Sequence, residues 1–248
     1  MLSHASLLDR SPAVAGGTPG RCASCGARGN ALCASVDEAG LTALHALGRR
    51  RILPSGQVFN WAGDRNNHCA MLVDGMLKVT ASTSDGREQI VELLFPGDFV
   101  GELFEEDATL TISALCETDL CAYPRIAFER TLEQHPRMER MLLHHALAAL
   151  GDARARMLAL GRRNARERIA GFLLDLVERT GRPAPGGGVR IAIPISRGET
   201  ADYLGLTIET VSRQLSRLKA QGILAFAKGD RDCTVLREDR LHTILNPV

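Results

Sequence analysis

SRGETADYLGLTIETVSRQLSRLKAQG, residues 196–222, reads as two short helices joined by a tight turn. Ser196 caps the first helix, and Glu199, three positions on, reaches back to it in a capping box. That helix runs to about Leu204. Gly205 supplies the turn, and Thr207 caps a second helix that ends before Gly222. Spacings of three and four place Ile208, Val211, Leu215 and Leu218 on one face, expected to pack inward. The other face carries Glu209, Ser212, Arg213, Ser216 and Arg217. An apolar back with a projecting row of Glu, Ser and Arg suits a helix lying in a DNA major groove. Arg grips guanine O6 and N7 with paired bonds, Glu accepts from an amino group, and Ser bonds either kind of base edge. The plainer alternative is an amphipathic surface helix with a solvated face.

The residues beyond Gly222 favour the groove-binding helix. Residues 223–227 and 233–237 are short apolar runs separated by KGDRD, a hairpin with a charged tip. A hairpin directly behind the second helix makes a winged helix-turn-helix, with Lys228 and Arg231 placed to touch phosphate. Residues 161–248 hold 15 Lys and Arg against 10 Asp and Glu, a net +5, in a chain whose total is only +1. Basic character is therefore concentrated beside the motif, as phosphate binding requires.

With 248 residues and 45% hydrophobic content the chain is long enough for two cores. No apolar run approaches the ~20 residues of a membrane span. The first twenty residues lack the cationic start and apolar stretch of a secretory signal, and their Gly, Pro, Ser and Ala content suggests a mobile arm. A cytoplasmic location is expected, where disulfides rarely persist.

That expectation bears on the seven cysteines, Cys22, Cys25, Cys33, Cys69, Cys116, Cys121 and Cys233. The first three form C-x2-C-x7-C in GRCASCGARGNALC. In a flexible polar segment with no core to fill, this pattern points to metal or redox chemistry. Three thiolates need a fourth ligand for a closed zinc site or a cubane cluster, and Cys116 and Cys121 in TISALCETDLCAYP are both candidates. Cys69 and Cys233 read as small core residues. The histidines, His4, His45, His68, His135, His144, His145 and His242, are scattered, and no Ser-His-Asp set, P-loop or dinucleotide fingerprint appears, so an enzyme is not expected.

Between the ends the pattern changes twice. From Arg51 to about Tyr123, β-prone runs are broken by Gly56, Gly63, Gly75, Gly86, Gly97 and Gly101, suggesting an antiparallel roll or barrel. After Pro136 the pattern is helical, and Leu143, Ala146, Leu150, Ala153, Met157 and Leu160 form the seam of a coiled coil. Leu142, Leu147 and Leu158 lie off it and are free to pack on the chain's own core, leaving the seam for a second copy. Ala153 is small and uncharged and Asp152 lies alongside, so nothing in the seam repels a partner chain. Residues 181–190, GRPAPGGGVR, read as a loop.

A β-roll, a long helix and a winged helix-turn-helix, in that order, resemble the superfamily of the cAMP receptor protein and the fumarate-nitrate reduction regulator. The resemblance runs from about Arg51 to the C-terminus and is carried by PGDFVGELF, RRNARERIAGFLL and YLGLTIETVSRQLSRL. It implies an α+β fold with a mobile cysteine-bearing arm (1–35), a cyclic-nucleotide-binding-like β-roll (36–135), a dimerisation helix (136–160) and a winged helix-turn-helix domain (161–248).

The N-terminal cysteines resemble the oxygen-sensing branch. Its members hold a 4Fe-4S cluster on three N-terminal cysteines and one from the roll. Cys22, Cys25 and Cys33 match the trio, though seven residues separate the last two where the enteric form has five. Cys121 matches the fourth, three residues before the proline of CAYP. Cys116, an odd offset away, would face the other side of a continuous strand. Cyclic-nucleotide members carry an Arg-Ser pair after the GEL signature. Here Ala108 and Thr109 stand beside Glu105, Glu106 and Asp107, with no guanidinium expected, so cAMP is not the implied effector.

The resemblance thus implies a homodimeric activator that binds a palindromic operator with TTGAT-like half-sites at low oxygen and meets RNA polymerase. Arg213 would lie on guanine, with Glu209 and Ser212 on flanking edges and Thr207, Ser216, Arg217 and Lys228 beside them. A regulator whose cysteines bind zinc or act as a thiol switch is the principal alternative. An iron–sulfur electron carrier and a regulator with an organic ligand in the roll are the others.

Overall fold

Glycine-bounded, β-branched segments in the first half of the chain form eight strands. In this computed structural model, which describes Cys22, Cys25, Gly29 and residues 32–227 and 232–246, they are β1 (Arg49–Leu53), β2 (Val58–Asn60), β3 (His68–Asp74), β4 (Leu77–Ser82), β5 (Glu88–Leu94), β6 (Phe99–Val100), β7 (Thr111–Ala114) and β8 (Thr118–Pro124). They make two four-stranded sheets, ordered β1-β8-β3-β6 and β2-β7-β4-β5. The β1–β8, β3–β8, β3–β6 and β2–β7 pairs are antiparallel. All six glycines expected to punctuate the roll adopt positive φ.

Period-two alternation divides the residues of β8 between its faces. Leu120 and Ala122 point one way; Cys121 and Tyr123 share the other. Across the ladder, Tyr123 is opposite Cys69 and Cys121 opposite Met71. This second face is covered by α1 (Glu38–Leu47) and α2 (Arg125–Gln134), giving a core of Leu32, Leu44, Cys69, Met71, Tyr123, Phe128, Leu132 and Met138. Leu32 belongs to a short 3-10 turn, Leu32–Ser35, and is 1% exposed, so an apolar anchor fixes the chain directly beside Cys33. The mobility expected of 1–35 falls largely outside the described residues.

The seam segment is the long helix α3, Pro136–Arg162, in which only Met138 is buried. Leu143, Leu150, Met157 and Leu160 are exposed, and so are Leu147 and Leu158. Of the three off-seam leucines, only Leu142 packs on the chain's own core. The expectation that Leu147 and Leu158 do so is corrected: too few of the turns of α3 lie over the chain's own core to cover them.

The chain divides into two compact units, Met1–Val79 with Leu93–Leu147, and Thr80–Glu92 with Ala148–Val248. In the second, α4 (Ala165–Thr180) starts at an Asn164–Glu167 capping box and buries Ile169, Ala170, Phe172, Leu173, Leu174 and Leu176. α5 (Arg197–Leu204) and α6 (Ile208–Ala220) come next, and α7 (Glu238–Leu245) lies beyond the wing. Two short strands, β9 (Arg182–Pro183) and β10 (Val189–Ala192), arise in and just beyond the segment expected to be a loop. They join the wing strands β11 (Leu224–Phe226) and β12 (Asp232–Val235) in a four-stranded sheet ordered β11-β12-β10-β9. The run Ala184-Pro185-Gly186-Gly187-Gly188 marks a hairpin turn. β12 pairs with β10, and β10 in turn with β9, pairings that local composition does not reveal.

Candidate functional site

The helix-turn-helix is built as its sequence dictates. Ser196 and Glu199 form the capping box at the start of α5. Gly205 closes that helix in the left-handed region, at φ 61°, which a side chain disfavours. Thr207 caps α6, its hydroxyl accepting from the Thr210 amide at 3.3 Å. Val211, Leu215 and Leu218 are buried to 4% exposure or less, whereas Ile208 is 51% exposed. Ile208 is the first residue of α6, where the helix emerges from the turn, and the inward placement expected of it is corrected.

The opposite face presents Glu209, Arg213, Ser216 and Arg217 fully and Ser212 partly. Hydrogen bonds from its own amide and from the Thr207 hydroxyl hold the Glu209 carboxyl below its usual range. It stays ionised at neutral pH and only accepts, which suits the amino group of cytosine or adenine. Arg213 reaches back to the Thr210 hydroxyl at 3.4 Å, a weak tether that leaves the guanidinium available. Lys228 and Arg231 of the wing tip lie outside the described residues. Below the tip, Arg190 and Asp232 pair at 2.8 Å.

One structural residue escaped the sequence reading. Arg168 donates to the carbonyls of Arg163, Leu204, Gly205 and Leu160 at 2.8–3.1 Å. One guanidinium thereby ties the end of α3 and the start of α4 to the turn of the motif. Its place in the charged run RRNARER hides this, because nothing local distinguishes it from its solvated neighbours.

The cysteines separate as their surroundings dictate. Cys69 and Cys233 are fully buried core thiols, as expected. Cys33 lies against the apolar cluster, and burial pushes its thiol up to about 12. Cys121, Cys22 and Cys25, in that order, contribute to this rise, and a hydrogen bond from Tyr123 opposes it. Cys22, Cys25 and Cys121 are therefore each within electrostatic reach of Cys33. Among the described residues no three His, Cys, Asp or Glu side chains stand close enough to hold a single metal ion.

Cys116 does not pack against the apolar cluster that Cys25, Cys33 and Cys121 border. It sits in the turn between β7 and β8 and not in a strand, so the parity expected to turn it to the opposite face does not apply. Cys121 has a different setting. A Cβ on Gly48 would come within 2.9 Å of both Cys121 Sγ and Tyr123 Cε1, so the bare glycine backbone makes the room that these two side chains fill.

The loop after the GEL signature is closed on itself. The Glu102 carboxylate accepts from the Thr109 amide at 2.7 Å and also from the Thr109 hydroxyl. Contrary to expectation a guanidinium is present: Arg65, brought from the preceding loop, pairs with Glu106 at 2.6 Å and lies 3.7 Å from Asp107. The sequence separation between Arg65 and these acids conceals the pairing. Ala108 is buried, its amide bonded to the Asp64 carbonyl at 2.9 Å.

Comparison with known proteins agrees with this architecture. Residues 50–135 match the cyclic nucleotide-binding domain model, and residues 167–244 the Crp-like helix-turn-helix domain model. The chain is 37% identical over 224 residues to the transcriptional activator protein FnrL of Cereibacter sphaeroides, covering 89% of this chain and 90% of that one. It is 38% identical over 208 residues to a probable transcriptional activator of Rhizobium leguminosarum bv. viciae, covering 84% and 86%. The structure of FixK2 from Bradyrhizobium japonicum superposes with a TM-score of 0.73 at 32% identity, covering 82% of this chain and 99% of that one.

Fold and interface together define a DNA-binding transcription regulator, not an enzyme. The chain belongs to the CRP/FNR family, and within it to the activators of FNR and FixK type.

Proposed function

We propose that this regulator senses oxygen through a 4Fe-4S cluster held by Cys22, Cys25, Cys33 and Cys121, and binds a palindromic operator as a homodimer when oxygen is low. The observation that carries the reading is the packing of Cys25, Cys33 and Cys121, and not Cys116, against one apolar cluster, with Cys22, Cys25 and Cys121 all acting electrostatically on Cys33. The donor set fits the group. It consists of thiols: Cys25, Cys33 and Cys121 border the apolar core, and Cys22 acts on Cys33 electrostatically. Bringing four thiolates together is unfavourable without a cationic partner, and an iron–sulfur core supplies both that charge and the reactivity towards oxygen.

This chain's own residues do the rest. With their sulfurs held in common, Cys22, Cys25 and Cys33 keep the N-terminal segment against β8. Without that common hold, only Leu32 and its apolar neighbours retain the segment. The exposed stripe of α3, Leu143, Ala146, Leu150, Ala153, Met157 and Leu160, is the surface for the second copy. Asp152 beside it is engaged by Arg179 at 2.7 Å, so no bare carboxylate opposes pairing, and the cluster-free protein should remain dimeric. Sedimentation of the apoprotein at micromolar concentration that finds only monomer would refute that point.

On DNA, Arg213 would read guanine of a TTGAT-like half-site, with Glu209 and Ser212 on flanking edges. Thr207, Ser216, Arg217 and Lys228 would lie near the backbone. cAMP is not the effector in this reading, since Glu102 is taken by Thr109 and Arg65 by two carboxylates. RNA polymerase would be the partner at the promoter. No helix among the described residues is long and apolar enough to cross a membrane, and a cytoplasmic site of action follows from the proposed operator.

Anaerobic purification with iron and sulfide counted, followed by operator binding before and after air, tests the proposal. The expected outcome is a brown, iron-loaded protein that loses iron and operator affinity together in air. A colourless, zinc-loaded protein with the same affinity in both conditions would replace it with the zinc or thiol reading.

A further inference from the structure

Tyr123 is 2% exposed, and its ring packs against Phe128 with centroids 5.1 Å apart. A phenol so deeply buried must place its O–H on an acceptor or bear the desolvation cost of leaving it unpaired. Cys33 and Cys121 pack against the cluster that contains Tyr123, and their sulfurs share hydrogen bonds with its hydroxyl. Two structural facts make this possible. Tyr123 and Cys121 are two residues apart in β8 and so share a face, and the missing side chain of Gly48 leaves room for both.

A neutral thiol is a weak acceptor and repays little of that cost. A metal-bound thiolate carries negative charge and accepts far more strongly. The position of the hydroxyl is therefore adapted to the ligated state of the site. Its two partners come from different parts of the chain, Cys33 at the end of the N-terminal segment and Cys121 in the roll, so one O–H lies where segment and roll are joined.

We propose that Tyr123 is a positioning and tuning residue for the sensor. Its hydroxyl donates to the sulfurs of Cys33 and Cys121, draws negative charge from them, and slows oxidative loss of the group they hold. Hydrogen bonds to ligating sulfurs raise the reduction potential of an iron–sulfur centre, and outer partners of this kind set ligand orientation. The inference rests on the cluster reading above and adds to it a residue that sets how readily the sensor responds to air.

The test compares wild type with Tyr123→Phe, which keeps the ring against Phe128 and removes only the hydroxyl. Both proteins are prepared without air, iron and sulfide are counted, and visible absorbance is followed after exposure to air-saturated buffer. A charge-assisted hydrogen bond of ordinary strength corresponds to about a tenfold shorter lifetime in the variant, with a more negative midpoint potential and unchanged anaerobic iron content. Equal lifetimes and equal potentials would overturn the role of Tyr123 while leaving the cluster reading intact. Wild type without iron would sink both, and shows itself before any variant is compared.

Should the variant fail to assemble, a second arm decides. The chain has only two tyrosines, Tyr123 and Tyr203. In a Tyr203→Phe background, fluorotyrosine at position 123 is a stronger donor of nearly the same shape, and it should lengthen the lifetime. A lifetime no longer than that of the same background with ordinary tyrosine contradicts the proposal.

Discussion

In α6 the groups that would meet DNA stand on successive turns of one helix, exposed, with Val211, Leu215 and Leu218 buried beneath them. At the proposed thiol site the groups come from positions 22, 25, 33 and 121; Cys25, Cys33 and Cys121 lie at the rim of a core built by the pairing of β8 and the anchoring of Leu32. The first surface is a property of a period; the second is a property of a fold. A substitution on the first should change what is recognised and leave the chain otherwise as it was. A substitution at the second should change whether the site exists.

Cys121→Ser puts this contrast to its hardest test. Iron content and the oxygen dependence of operator binding should both be lost, while Cys116→Ser, in the turn preceding β8, keeps both. If the two variants behave alike in iron analysis and in anaerobic binding, the fourth ligand has been wrongly assigned. Next in size is Arg213→Ala, which should cost about 1–3 kcal/mol at the cognate operator and little on random DNA, with normal iron content. An equal loss on both DNAs would make Arg213 a phosphate contact and remove the base-reading role from that face.

Gly48→Ala probes the meeting point of segment and roll. The added methyl would lie 2.9 Å from Cys121 Sγ and 3.0 Å from the Leu44 carbonyl, a crowding expected to destabilise the unit by about 1–3 kcal/mol and to lower iron retention. Urea denaturation with iron analysis measures both, and unaltered values would show that the close approach relaxes freely. The smallest effect concerns a thiol outside either site. Burial pushes Cys233 from the ordinary 9.0 to about 12. A raised thiol contributes stability that is complete below pH 9.0 and is lost as pH climbs through about 12. Cys233→Val should therefore lose less stability than wild type between those limits, as read from denaturation midpoints across the alkaline range.

The order of elements was legible because each announces itself locally. The capping box at Ser196, the glycines that punctuate the roll and a three-four spacing along α3 are short-range signals, and the structure carries each of them. Misreadings occurred where neighbours in space decide. Ile208 is exposed because it begins its helix, Leu147 and Leu158 because α3 extends past the core, and β9 and β10 are strands because β12 pairs with β10 and β10 with β9. Arg65, Arg168, Gly48 and Tyr123 were invisible for the same reason: each acts on a group far away in sequence.

The sequence alone determined the helix-turn-helix with its polar face, the roll, the seam and the cysteine trio, since periodicity, turn chemistry and charge are written along the chain. Tertiary structure alone decided which thiols border the apolar cluster, what fills the space at Gly48 and how deeply Tyr123 is buried. Those outcomes depend on strand register and burial, which bring distant residues together and set how strongly their charges are felt.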